Sequence, residues 1–390
     1  MSGADSNPVK ASRLHGLDTL RAVAILAVMI FHLQGRLPHA LDLVVHVGWA
    51  GVDLFFVLSG FLIGSQLLEP FVCGERLRVV DFYLRRGFRI LPAYLVVVAL
   101  YFLVPAWREQ PGLPALWKFL TFTVNLVMNY PAELAFSHAW SLCVEEHFYL
   151  VLPVLVVWLM RKPSAAKTIA FFCAVVVFGV LVRSWELFHV VRGTADGEAW
   201  PMFMKRIYYP TYCRLDGLLV GVALACLRMF RPAWWAKVAR RGDWLLGGGI
   251  VISAGAFWMF RWDYPNADET VGMLFGFPLL ALGFGLLVAA AVADNGVLRM
   301  KVPGAKMVAL LAYSLYLTHK EIAHVDRAIF SWMARSNGWR AAAVYGVTCF
   351  AFAALLYWCV ERPCMILGGR FAGRAVSRAP DAEARLDPAL

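Results

Sequence analysis

Long apolar runs constrain this chain more than any other feature. Residues 96–104, 150–160 and 279–293 carry no charge, and similar stretches recur along most of the 390 residues. One helix crosses a bilayer with roughly 20 mostly apolar residues, so there is room for many crossings. The charges agree. Asp, Glu, Lys and Arg make up 16% of the chain, against about 25% in an average soluble domain. That is too few to cover a globule of this size. A soluble enzyme, a disordered chain and a small disulfide scaffold are excluded, and the expected fold is all-α and polytopic, embedded in the lipid bilayer.

Ten transmembrane helices are expected, at about 17–34, 47–68, 89–107, 140–160, 166–188, 207–228, 243–261, 272–293, 306–333 and 340–362. Counted over alternate connections, Lys and Arg divide 23 to 9. Basic residues are retained in the cytoplasm, so this bias places both termini there. Residues 1–16 read as a cytoplasmic N-terminal segment, 17–363 as the transmembrane domain, and 364–390 as a polar cytoplasmic tail expected to be disordered. Segment 117–130 is short for a span and reads as a re-entrant or interfacial helix. The net charge of +11 is spread over short loops, which points to topology and away from nucleic acid. The cysteines show no ligand spacing, so no metal site is expected.

Ionisable groups inside a membrane are costly and are functional candidates by default. Arg21 and His32 are eleven residues apart on the first span, within about 20° of the same helical face and about 16 Å apart in rise. One face thus offers a cation near the inner surface and an imidazole deep in the membrane. Arg85, Arg86 and Arg89 stand at helical spacing, where guanidinium forks can converge on a phosphate-bearing ligand. Pro92 suits the first turn of a helix entering the membrane just there. Glu145 and Glu146 open the fourth span, and a carboxylate at that depth can orient His32 or accept a proton itself. Asp53 on the second span could instead fix the His32 tautomer. Arg214, Asp216 and His319 complete the set of candidates. Leu58-Ser59-Gly60-Phe61 reads as a close helix contact.

The stretches LDTLRAVAILAVMIFH (17–32), GVDLFFVLSGFLIG (51–64), FYLRRGFRILPAY (82–94), AWSLCVEEHFYLVLP (139–153), YCRLDGLLVGVALA (212–225), YSLYLTH (313–319) and ERP (361–363) resemble, in order, those of the membrane acyltransferase-3 family of bacterial O-acyltransferases. The resemblance is to a stand-alone member without a further hydrolase-like domain. It departs from the family at Thr19, where Gly is frequent, and at His147, where Gln is common. It implies a multi-pass protein of the bacterial plasma (inner) membrane. The activity implied is transfer of an acyl group, usually acetyl, from cytoplasmic acyl-CoA to a hydroxyl of a glycan or lipid-linked sugar. Arg21 and the Arg86–Arg89 pair are implied at the donor and His32 in catalysis.

Together these readings put acyl-CoA on Arg21, Arg85, Arg86 and Arg89. His32, oriented by Asp53 or Glu145, serves as base or acyl carrier, and Glu146, Arg214, Asp216 and His319 face the acceptor. O-acylation of a macrolide-type small molecule is the alternative within the class. A proton-coupled exporter, with His32, Glu145, Glu146 and His319 as relay, is the rival from another class.

Overall fold

The computed structural model describes residues 14–34, 37–195, 197–265, 269–334 and 338–377. The expectations for 1–13 and 378–390 lie outside the described residues. Among those described there is no strand, and eleven long helices carry the fold. These are α1 (His15–Phe31), α2 (Gly51–Val72), α3 (Val79–Leu103), α4 (Ala139–Met160), α5 (Ala165–Trp185), α6 (Asp216–Phe230), α7 (Gly242–Met259), α8 (Phe277–Ala291), α9 (Ala305–Ile329), α10 (Trp339–Leu356) and α11 (Arg362–Ser377).

A helix occupies each of the ten expected positions, but among the described residues only six helices are long and apolar enough to cross a membrane by length and composition. A seventh is reached if α6 and the helix Pro232–Ala239, bent by 110° from it, form one span. The helices outside that set include α1, which carries Asp18 and Arg21, and α9, which carries His319, Lys320, Glu321 and Asp326. These two pack on each other, and α1 also packs on α2 and α8. Charged helices are tolerated in a membrane when apolar neighbours enclose them. The protein is an all-helical membrane protein.

Two expectations are corrected. Helix α3 begins at Val79, so Pro92 lies inside it and not in its first turn. A proline there removes one backbone hydrogen bond. The arginine cluster is therefore continuous with the apolar part of the same helix. Residues 364–377 are helical and not a disordered tail. α11 lies along α3, where Phe88 and Phe371 stack with ring centroids 5.6 Å apart. Segment 117–130 forms two short helices, Leu116–Leu120 and Val124–Val127, with Phe119 and Asn125 buried.

Small residues set the spacing around α2. A Cβ on Gly60 would stand 2.1 Å from the Leu218 carbonyl oxygen, and one on Gly221 would stand 2.2 Å from that of Val57. Real Cβ atoms do not approach so closely, and small residues of this kind let membrane helices touch backbone to backbone. Gly51 does the same against α1, where a Cβ would lie 2.5 Å from the Ala24 carbonyl oxygen. These contacts fix Val52 and Asp53 relative to α1 and α6.

Candidate active site

Two adjoining cavities lie within the bundle. The first, about 120 Å³, is lined by Arg21, Arg86, Arg89, Glu145, Glu146 and Tyr149 among others. The second, about 60 Å³, is lined by His32, Trp49, His138, Trp140, Tyr208 and Tyr264 among others. Val52 and Tyr316 line both. α1 serves the two chambers from one side, with Arg21 in the first and His32 just past its C-terminus in the second.

In the arginine chamber, the Arg86 guanidinium lies 4.3 Å from the centroid of the Tyr149 ring. Its Nε is buried with no hydrogen-bond partner among the described residues, which leaves a donor for an incoming anion. Glu145 is occupied otherwise. Its Oε1 accepts from Ser59 Oγ and its Oε2 from the Tyr149 hydroxyl, both at 2.9 Å. It therefore ties α2 to α4 and does not touch His32. Glu146 lines this chamber too, so it stands with the arginines and not at the acceptor side. Arg85 is exposed and does not line the chamber. The i,i+3 pair converges with Arg21, whereas the i,i+4 neighbour points elsewhere.

In the imidazole chamber, the hydrogen bonds assign the tautomers. His319 Nδ1 lies 2.9 Å from the Tyr316 carbonyl oxygen and 3.2 Å from that of Leu315. Carbonyl oxygens only accept, so Nδ1 carries the proton and Nε2 keeps its lone pair. That Nε2 is 3.0 Å from His32 Nδ1, which is also 2.9 Å from the Val28 carbonyl oxygen. Facing two acceptors, His32 Nδ1 donates, and its Nε2 is left with a lone pair. The partner that orients His32 is His319, which the sequence placed with the acceptor.

Asp53 does not fix that tautomer. Both of its oxygens accept from Arg214 Nη2, at 2.8 and 2.9 Å. The Arg214 guanidinium also sits over the Phe277, Tyr208 and Trp140 rings, 3.9, 4.8 and 5.5 Å from their centroids. Asp216 is paired with Arg183 Nη1 at 2.7 Å. Arg214 and Asp216 are thus members of two buried ion pairs behind the chamber wall and are not among its lining residues.

Three contributors escaped the sequence reading. Arg183 is fully buried, but near the end of an apolar stretch it passes for a residue reaching the interface. Tyr316 sits in a motif already quoted, yet nothing in spacing alone marks its ring as shared by two cavities. His138 lines the imidazole chamber, its ring centroid 5.1 Å from that of His319, although it falls just outside an expected span. Beyond it, donor atoms of Glu109, His138 and Glu321 lie within 4.8 Å of one another. This set of one imidazole and two carboxylates is of a kind that can ligate a metal ion. The Tyr101 hydroxyl, with a single proton to donate, lies within hydrogen-bond reach of both carboxylates, and Lys320 Nζ is 3.2 Å from Glu109, so part of their charge is already met.

The matching profile is that of an acyltransferase domain, acyltransferase-3, over residues 14–358. The chain belongs to this family. It is similar to the O-acetyltransferase OatA of Staphylococcus aureus (strain NCTC 8325 / PS 47), 26% identical over 333 residues, covering 79% of this chain and 50% of that protein. It is also similar to the peptidoglycan O-acetyltransferase OatA of Listeria monocytogenes serovar 1/2a, 26% identical over 364 residues, covering 89% and 55%. The chain thus spans about half the length of the curated relatives it matches. No solved structure matches significantly. Every motif of the acyltransferase-3 pattern from residue 17 to residue 319 falls inside the matched region, and Arg21, Arg86, Arg89 and His32 lie within it.

Proposed function

We propose that the protein is a membrane O-acyltransferase that moves an acyl group, acetyl by preference, from cytoplasmic acyl-CoA to a hydroxyl of a cell-envelope glycan. One observation carries the reading. A chamber with three guanidinium groups adjoins a chamber holding an imidazole whose Nε2 is free to accept a proton, and the two share Val52 and Tyr316. The names of the relatives support acetyl and a glycan acceptor.

In this reading the arginine end faces the cytoplasm of a bacterial inner membrane, as the Lys and Arg bias favours. Arg86 and Arg89, with Arg21, hold the phosphates, because guanidinium groups grip phosphate oxygens in pairs. The thioester supplies an activated acyl carbon. His32 Nε2 takes the proton of the acceptor hydroxyl, whose oxygen attacks that carbon, and the C–S bond breaks. The departing sulfur then receives the proton from His32, so an alcohol and a thioester become an ester and a thiol. His319 keeps His32 Nδ1 protonated and its ring aimed.

The test is transfer of labelled acetyl from acetyl-CoA to envelope glycan by purified protein in proteoliposomes, with CoA binding titrated in parallel. Wild type transfers label, His32→Ala does not, and both bind CoA. Full transfer by His32→Ala at normal expression removes His32 from the mechanism. No CoA affinity in an active preparation favours the exporter.

A further inference from the structure

We propose that Val52 and Tyr316, the residues shared by the two chambers, are the selector of acyl-chain length. This deepens the acyltransferase reading and rests on it. The wall is held from both sides. Gly51 presses α2 against the α1 backbone, so the neighbouring Val52, itself buried, has no room to retreat. The Tyr316 hydroxyl is latched twice, 2.5 Å from Ser141 Oγ and 3.0 Å from the His138 carbonyl oxygen, to which it donates. The Phe55 ring meets the Tyr316 ring edge-on at 6.5 Å. Close-packed walls of this kind do not yield continuously.

Beyond the wall, the imidazole chamber has about 60 Å³. At about 10–15 Å³ for each water-sized group, that is room for some four to six heavy atoms. An acetyl group brings three and must share the space with the attacking hydroxyl. A butyryl chain, with five heavy atoms, fills or exceeds it once the hydroxyl oxygen is counted, unless its tail stays beyond Val52. Chain length is therefore sensed in the imidazole chamber, where Val52 and Tyr316 line the space the acyl group enters, and not by the arginines that hold the other end of the donor.

The experiment compares acetyl-, propionyl- and butyryl-CoA as donors for wild type, Val52→Ala and Tyr316→Phe in proteoliposomes, and measures binding of the same three donors by titration. One methylene in an apolar pocket is worth roughly tenfold or more in discrimination. Val52→Ala should raise the butyryl-to-acetyl ratio of kcat/KM at least about tenfold. Tyr316→Phe keeps the ring but frees the latch, and should raise the ratio a few-fold. Should either variant lose turnover, the binding ratio for the three donors must still shift in the same direction. Acetyl transfer with unchanged ratios, in turnover and in binding, overturns the inference and leaves the acyltransferase reading intact. A wild type that neither binds nor turns over acetyl-CoA sinks the reading beneath it.

Discussion

Asp53→Asn separates a structural carboxylate from a catalytic one. In the structure both Asp53 oxygens accept from Arg214 Nη2, and both side chains are buried. Removing one partner of a buried ion pair costs about 3–5 kcal/mol, because the remaining charge is left uncompensated. Asparagine keeps one acceptor oxygen, and the Phe277, Tyr208 and Trp140 rings still face the guanidinium. The acceptor oxygen that asparagine keeps puts the cost at the low end, about 3 kcal/mol. At 1.4 kcal/mol per factor of ten, that is roughly a hundredfold shift in the unfolding equilibrium. Unfolding in detergent micelles, followed by heat or by SDS titration, measures it. The double variant Asp53→Leu/Arg214→Met should recover most of the loss, since it leaves no lone buried charge. Asp53→Asn that unfolds like wild type but has lost acyl transfer would refute this, and would return Asp53 to the chemistry.

Other outcomes follow from the same geometry. His319→Ala should lower kcat by about tenfold to a hundredfold, the range seen when an orienting partner is removed, and His319→Gln, which can still accept from His32 Nδ1, should recover part of it; equal losses in both would contradict the tautomer assignment. Arg86→Ala and Arg89→Ala should each weaken CoA binding by about tenfold or more, as loss of a charged hydrogen bond costs about 1.5–3 kcal/mol, whereas exposed Arg85→Ala should leave affinity within twofold in the same titration. Gly221→Val must displace the Val57 backbone and should lower the yield of folded protein, read by size-exclusion chromatography in detergent.

Periodicity and hydropathy made the helices legible, because a bilayer fixes both their length and their lack of charge. The arginine and imidazole ends of α1 were legible too, since eleven residues nearly close a whole number of helical turns. Which carboxylate meets which cation was not. Asp53 and Arg214 are far apart in the chain, and one residue's rotation around α2 decides whether Asp53 faces His32 or α6. Glu145 likewise finds Ser59 and Tyr149, partners that carry no charge and leave no signal in a charge map. His138 and Tyr316 matter through where the two chambers meet, which is a property of packed helices and not of any local spacing. α11 was missed because residues 368–390, polar and rich in Ala, Arg and Asp, read as a solvated tail in composition.

The central claim is a single path from the guanidinium groups to the imidazole. A structure of the protein in lipid with a non-reactive thioether analogue of acetyl-CoA tests it most directly. The account predicts phosphates on Arg86 and Arg89 and the sulfur beside Tyr316, with the acyl mimic on the His32 side. An analogue bound with its phosphates away from those arginines, or with its sulfur walled off from His32, would contradict it.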